Sequence, residues 1–479
     1  MKTGCDFSSN TQLLDQYLRI SESFDMIKRV VVTGGRMSAM YMVDGFVKDA
    51  VMEKILEFVM SADADKTQKL KAAEDYAREF IPYVEVSFAD EIDEIATAVL
   101  SGTIAYIIDG YQKVILIDAR TYPARDTEEP DSDRVLRGSH EGFVETLVFN
   151  TALIRRRIRD PDLTMELIRV GSKSKSDVVL CYLKSETDPV FLENVRKKIQ
   201  GIRVRALTMS QETLAEALIH QKWYNPFPKF RYTERPDAAA ANILEGKIVV
   251  LTDTSPSAML LPTSIFDFTQ EADDFYFPPI TGSYLRIVRV IIFAATLFIT
   301  PIWYLLIRNP ESIPSWLSFI RIEAPNQVPV IIQLLMIEFA IDALKLAAQN
   351  TPSVLSNSFS IIGGLILGDF AVKAHWFVPE VILYMAFVAI ANYSQPSFEL
   401  GYAFKFMRIM ILILTALGNV WGFAAGVVLT VLFIATNKSV DGKSYLFPFV
   451  PFSGKDLMNV FIRRKLNTKD CCKMTKNKV

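Results

Sequence analysis

Histidine and cysteine are nearly missing from this chain, with three His and four Cys in 479 residues. His140, His220 and His375 lack metal-ligand spacing, and Cys5, Cys181, Cys471 and Cys472 are too scattered for a disulfide framework or a zinc site, so no metal and no other cofactor is expected. Nucleotide-binding signatures are missing too: there is no GxxxxGK[ST], and no GxGxxG follows a strand. His140 stands beside Ser139 and Glu141, but adjacency in sequence is not a triad, so an enzyme is not expected. A net charge of -2 offers no field for nucleic acid. The opening residues MKTGCDFSSNTQLLDQY hold no apolar core of a signal peptide, which predicts that the N-terminal region stays in the cytoplasm. Up to about Tyr284 no apolar run approaches the ~20 residues needed to span a bilayer.

What is present is a second half of another character. Half of all residues are hydrophobic and mean hydropathy is +0.22, yet 22% are charged, a mixture that predicts one water-soluble part and one membrane part. The expected organisation is a first α/β subdomain over 1–125, a second over 126–284, an all-α polytopic transmembrane domain over 285–437 and a basic tail over 438–479. In the first subdomain Arg29 to Thr33 reads as a strand, Val47 to Met60 and Thr67 to Phe80 as helices, and Ala89 to Leu100 as a striped helix. Asp109-Gly110, between the β-rich runs TIAYIID and YQKVILID, is a hairpin signal. The second subdomain repeats the cycle: strands at Val178 to Leu183 and Arg203 to Leu207, helices at Pro189 to Gln200 and Gln211 to His220, then a strand-turn-strand unit from Lys247 to Leu261. This suggests a distant internal repeat. Asn225 to Asp237 is Pro-punctuated and predicts a surface wrap; Asp267 to Tyr284 has the acids and aromatics of a juxtamembrane collar.

Between the subdomains, Tyr122 to Arg159 alternates Arg125, Arg134, Arg137, Arg155, Arg156 and Arg157 with acids that include Glu129, Glu141 and Glu145. Guanidinium and carboxylate groups at this density predict a salt-bridge network within or between subunits, with anion binding by the arginines as the alternative.

Six spans are expected: Ile287 to Ile307, Val328 to Gln349, Ser358 to Val372, Phe377 to Asn392, Phe404 to Leu417 and Asn419 to Thr436. The second carries Glu338, Asp342 and Lys345 at i, i+4 and i+7, one helix face that Gln349 extends. Charge in hydrocarbon faces a partner helix or a water-filled path. Two readings stay open: the three residues pair with one another at a helix-packing seam or membrane surface, or several copies of the helix ring an aqueous pore. Asp369 is a further intramembrane acid, with Lys373 one turn on. Gly364 with Gly368, and Gly422 with Gly426, mark close helix approach. Arg286, Arg289, Lys405 and Arg408 at span ends and ten Lys and Arg after Thr436 fit an even number of spans with both termini in the cytoplasm.

The runs EPDSDRVLRGSHEGFVETLVFNTALIRRRI (129–158), TERPD (233–237), DDFY (273–276) and IIGGLILGDFAV (361–372) resemble the GerA family of spore germinant receptor A-subunits, and within it the SpoVAF branch. The resemblance runs from about Ile20 to Leu466. It implies a multi-pass protein of the dormant spore's inner membrane, a homo-oligomer, pentameric in form, that releases monovalent cations when germination begins. Its implied partners are the lipid bilayer, a small membrane protein and other germination-complex subunits, and the branch amplifies the signal rather than binding nutrients. Receptor A-subunits carry a neutral polar residue where Asp369 stands, a departure that bears on conductance if this side chain faces a lumen. Beside the channel, with Glu338, Asp342, Lys345, Gln349 and Asp369 as lining candidates, stand a receptor A-subunit, a non-conducting scaffold and a secondary transporter. The last is disfavoured because the two halves of the membrane block lack internal similarity.

Overall fold

Asp109-Gly110 turns as its chemistry dictates: Gly110 adopts φ +85°, and β4 (Ile104–Ile108) runs antiparallel to β5 (Val114–Ile117) on either side of it. The computed structural model describes residues 1–121, 138–219, 224–271, 273–322, 327–350, 371–440, 442 and 444–462. The chain divides into two compact units, 1–221 with 230–263, and 222–229 with 264–467.

In the first unit, β1 (Met26–Thr33), β2 (Arg36–Val43) and β3 (Val86–Ala89) join that hairpin in a sheet of order β1-β2-β4-β5-β3. A second sheet, of β6 (Leu163–Val170), β7 (Ser176–Leu183), β8 (Arg231–Thr233), β9 (Ile248–Thr252) and β10 (Ala258–Leu261), has the order β6-β7-β9-β10-β8. The two orders are the same pattern, which gives the suspected repeat a topological basis. Among the described residues every strand pairing is antiparallel, so helices and strands combine there without parallel crossovers. Helices cover both faces of the first sheet. α1 (Phe7–Tyr17) and α5 (Ile92–Leu100) pack on the side of Ala39 and Tyr41; α2 (Asp49–Met60) and α4 (Ala73–Phe80) pack on the side of Met40 and Met42. Double coverage explains why β4 and β9 are buried at every residue and read as unbroken apolar runs.

Two expectations differ from what forms. Thr67 to Phe80 is broken into α3 (Ala64–Lys69) and α4, because Leu70 turns extended and its carbonyl accepts from Tyr111 Oη and Arg36. Arg203 to Leu207 is not a strand: its carbonyls at Val204 and Arg205 accept from Ser172 and Lys173 in the β6–β7 turn. In the second repeat α6 (Leu147–Arg157), α7 (Pro189–Gln200), α8 (Ser210–Leu218) and α9 (Pro236–Leu244) clothe the sheet. Asp188 caps α7 with Pro189 at its first position.

The second unit starts at Ser264 rather than near 285, since Ile265 and Phe268 pack into its core with Met407 and Tyr445. Phe227 belongs to the same core, its ring 5.9 Å from Phe404, so the stretch after Asn225 is no surface wrap there. α10 (Asp273–Tyr276) leads into α11 (Pro279–Arg308), followed by α12 (Val330–Asn350), α13 (Pro379–Tyr393), α14 (Phe398–Thr436) and α15 (Gly454–Phe461). Among the described residues α11 and α14 are long and apolar enough to cross a membrane. The fifth and sixth expected spans both lie in α14, which leaves helical geometry at Asn419 (φ 51°, ψ -128°). There the chain folds back. A Cβ on Gly422 would collide with the Leu414 carbonyl, and one on Gly426 would press at 3.0 Å on Ile411 Cα, so these two glycines line the seam between the legs. The expected span at 358–372, with Gly364, Gly368 and Asp369, lies outside the described residues except at its last two positions.

Candidate functional site

α12 and the first leg of α14 run antiparallel, which sets Glu338 opposite Arg408 and Asp342 opposite Lys405. Lys405 and Arg408 are i and i+3 on one face of a helix whose other charge, Glu399, lies in its first turn. Arg408, 0% exposed, donates from Nε to Glu338 Oε1 at 2.7 Å and from Nη1 to the Thr296 carbonyl of α11 at 2.8 Å. Pro301 has no N–H to close the turn onto Leu297, so α11 is loosened one residue from the carbonyl that Arg408 uses. Lys405 donates to the Glu338 carbonyl at 3.2 Å, stands 3.4 Å from Glu338 Oε2 and pairs with Asp342. A single arginine thus ties α11, α12 and α14 together.

The seam reading expected Glu338, Asp342 and Lys345 to pair along their own helix; the structure pairs both acids across to α14 instead. Lys345 sits over the rings of Tyr393 at 4.8 Å and Tyr402 at 5.5 Å, a cation–π cradle. Glu338 is 3% exposed, whereas the Asp342 side chain is 31% exposed, and its buried Oδ1 has no hydrogen-bond partner among the described residues. The cluster holds two carboxylates and three cations. The outward face of α12 is apolar, with Ile332, Met336, Phe339 and Leu346 exposed. The side chain of Gln349, like Asp369, falls outside the described residues.

Around this cluster the helix directions are fixed by side-chain pairs. Phe293 meets Phe404 at 5.4 Å and Arg308 donates to Thr415 O at 2.7 Å, so α11 and the first leg of α14 are parallel. Trp303 meets Tyr384 at 4.8 Å and Gln395 lies against Thr296, so α13 is antiparallel to α11. At the hairpin turn Asn309 and Asn419 exchange amide hydrogen bonds of 2.7 and 2.8 Å. At the opposite end of α11, Asp274, 0% exposed, accepts from Arg289 at 2.9 Å and from Arg286, which is the part played by the DDFY acids.

The arginine bridge has its own geometry in the first unit. Arg155 and Asp25, each 1% exposed, form a bidentate pair at 2.8 and 3.1 Å; Ser23 Oγ and the Leu163 and Asp160 carbonyls complete the guanidinium's bonds. Arg19–Asp162 and Lys184–Glu22 join the same two subdomains. Arg156 and Arg157 both reach Glu141, at 2.8 and 2.7 Å, while Glu145 accepts from Thr254 N–H through its backbone carbonyl. Asp237 of the TERPD run holds the buried Arg235. Arg125, Glu129, Arg134 and Arg137 lie outside the described residues. Burial raises the Cys181 thiol well above its ordinary value, which leaves it an inert core residue.

An α/β region with a duplicated strand order, followed by apolar helices that enclose salt-bridged side chains, defines a two-part protein with a membrane-type helical unit. The chain belongs to the family described as Bacillus/Clostridium GerA spore germination protein, whose model matches residues 13–472. It is similar to the stage V sporulation protein AF of Bacillus subtilis (strain 168), 41% identical over 380 residues, 79% of this chain and 76% of that protein. The spore germination protein GerLA of Bacillus cereus is 30% identical over 387 residues, 80% and 78% of the two chains. The crystal structure of the N-terminal domain of the A subunit of the Bacillus megaterium spore germinant receptor GerK3 matches at a TM-score of 0.38 and 21% identity, over 54% of this chain and 96% of that one, too loosely to argue from. The family is one of spore germination proteins, and a germination role follows for this chain.

Proposed function

We propose that this chain is a membrane subunit of a spore germination complex that assembles as a pentamer into a cation-release channel and amplifies the germinant signal at the inner membrane of the dormant spore. The observation that carries the reading is the buried charge cluster of α12 and α14. Ionised groups among apolar helices are costly and mark conduction paths or their gates. Asp342 is the acid of the cluster that reaches the subunit surface, and with Lys345 it becomes the lining pair, copies of Asp342 forming the ring that draws cations. Glu338 is then an anchor for Arg408 rather than a lining group. A small membrane partner and other complex subunits gate it, the α/β region lies in the cytoplasm, and no catalysis is assigned.

A second reading, a non-conducting scaffold, is favoured by one specific observation: both acids are paired within the same chain and cations outnumber them three to two. The test is purified full-length protein in K⁺-loaded liposomes, with subunits counted by mass photometry. A ring-sized oligomer that leaks K⁺, less so in Asp342→Asn, is the expected result. A stable oligomer silent both alone and with its partner subunit would leave the scaffold.

A further inference from the structure

Between the edge strand β1 and helix α2 the first unit opens a groove of about 240 Å³. Its walls are largely apolar: Met42 comes from β2, and Met52 and Leu56 come from α2, packed against the same core. Methionine gives such a wall an adaptable shape. Pockets for drug-sized ligands start at about 300 Å³, so a smaller molecule fits this one.

One end of the groove is acidic. Asp44 lines it, partly buried, at the turn that follows β2. Gly45 next to it adopts φ +79°, and a Cβ there would press on Val148 Cγ1 of α6 at 3.1 Å, so close packing fixes the turn that carries the acid. Among the described residues no salt bridge reaches the Asp44 carboxylate. Burial raises its pKa, the Gly45 N–H opposes that by donating to it, and its charged neighbours Asp25 and Asp49 are acids that raise it further. Asp25 is engaged by Arg155, whereas Asp49 is exposed in the first turn of α2 and also lines the groove. A carboxylate set against an apolar wall without a counter-ion costs stability, and groups so placed gather at binding sites.

We infer that this groove binds a small organic monocation, an ammonium group on a short hydrocarbon chain, with the charge at Asp44 and Asp49 and the chain along Met42, Met52 and Leu56. An inorganic cation would satisfy the acids but leave the apolar wall bare. A neutral apolar molecule would leave Asp44 uncompensated. Arg29 limits the length: it lines the groove opposite Met40, four residues from Asp44 or about 13 Å along the strand, so a diammonium that spans the groove meets a guanidinium. The site lies within the first unit and does not depend on the channel reading.

The test titrates the full-length protein in detergent with n-butylammonium chloride, in mildly alkaline buffer at constant ionic strength. Binding is read by saturation-transfer difference NMR on the butyl protons and by the thermal unfolding midpoint. A saturable transfer signal and a raised midpoint are expected, with neither from KCl nor from n-butanol. Asp44→Asn, which keeps the side chain's shape, should weaken binding about tenfold or more. Met52→Ala should weaken it severalfold for n-butylammonium and leave methylammonium unaffected. Octamethylenediammonium should bind more weakly than n-butylammonium and recover in Arg29→Gln. Unchanged affinity in Asp44→Asn, an equal midpoint rise with KCl, methylammonium binding as tightly as n-butylammonium, or no saturable signal would each overturn the inference.

Discussion

Glu338 and Arg408 should respond unequally to neutralisation, although they are partners. Both are sealed from solvent, at 3% and 0% exposure, so whichever is removed leaves the other to find compensation inside the helices. With Arg408→Met the cluster goes from two acids and three cations to two and two, and Lys405 Nζ, 3.4 Å from Glu338 Oε2, keeps the carboxylate paired. The loss is then chiefly that of charge-assisted hydrogen bonds, about 1–3 kcal/mol. With Glu338→Gln three cations face Asp342 alone, and Arg408 is left buried with only the Thr296 carbonyl and a neutral amide. Breaking a buried pair in this way costs about 3–5 kcal/mol, a hundredfold or more in the folded to unfolded ratio. Thermal or denaturant unfolding in detergent should therefore rank wild type above Arg408→Met above Glu338→Gln. The double variant should lose less than the sum of the singles, by about 2 kcal/mol, because the uncompensated charge is gone. Equal losses, or a harsher Arg408→Met, would refute the charge count behind the argument.

Three further outcomes follow from particular contacts. Arg155→Met strands the buried Asp25 carboxylate between the subdomains and should cost about 3–5 kcal/mol by urea unfolding, with the two repeats melting apart rather than together. Gly422→Val should stop the legs of α14 from closing, since even a Cβ there meets the Leu414 carbonyl; a cross-link engineered between the legs would fail to form. Burial pushes the Asp44 carboxyl above its ordinary value, against the opposing Gly45 N–H. A raised folded-state value means that folding takes up a proton, so the contribution of Asp44 is fully favourable below the ordinary carboxylate range and is lost as pH rises through the folded value. Asp44→Asn should accordingly be more stable than wild type at neutral pH, with the gap closing in acid, as read from urea midpoints.

Local chemistry was legible where it was short-range. The Asp109-Gly110 turn, the capped α7 and the break near Asn419 all declare themselves through residues adjacent in sequence. So does the shared face of Glu338 and Asp342, because helix periodicity alone puts them there. Their partners did not. Lys405 and Arg408 read as basic residues opening a span, useful for orientation, and only the fold brings them 63 and 70 residues back to the acids. The signal available was their i, i+3 spacing on an apolar helix, which demands acids on a facing element. Arg155 reads as one of a run of three, yet its neighbours stay partly exposed while it alone is sealed against Asp25, 130 residues away. Burial of a charge is a tertiary property, and local pattern is blind to it.

The most direct test of the channel is the reversal potential of the reconstituted full-length protein in a planar bilayer under a KCl gradient. The account predicts a potential close to that of K⁺, moving toward zero in Asp342→Asn as the ring loses its charge. A potential close to that of Cl⁻, as three cations to two acids would give if the whole cluster faced the lumen, would contradict it, as would an Asp342→Asn channel with unaltered selectivity.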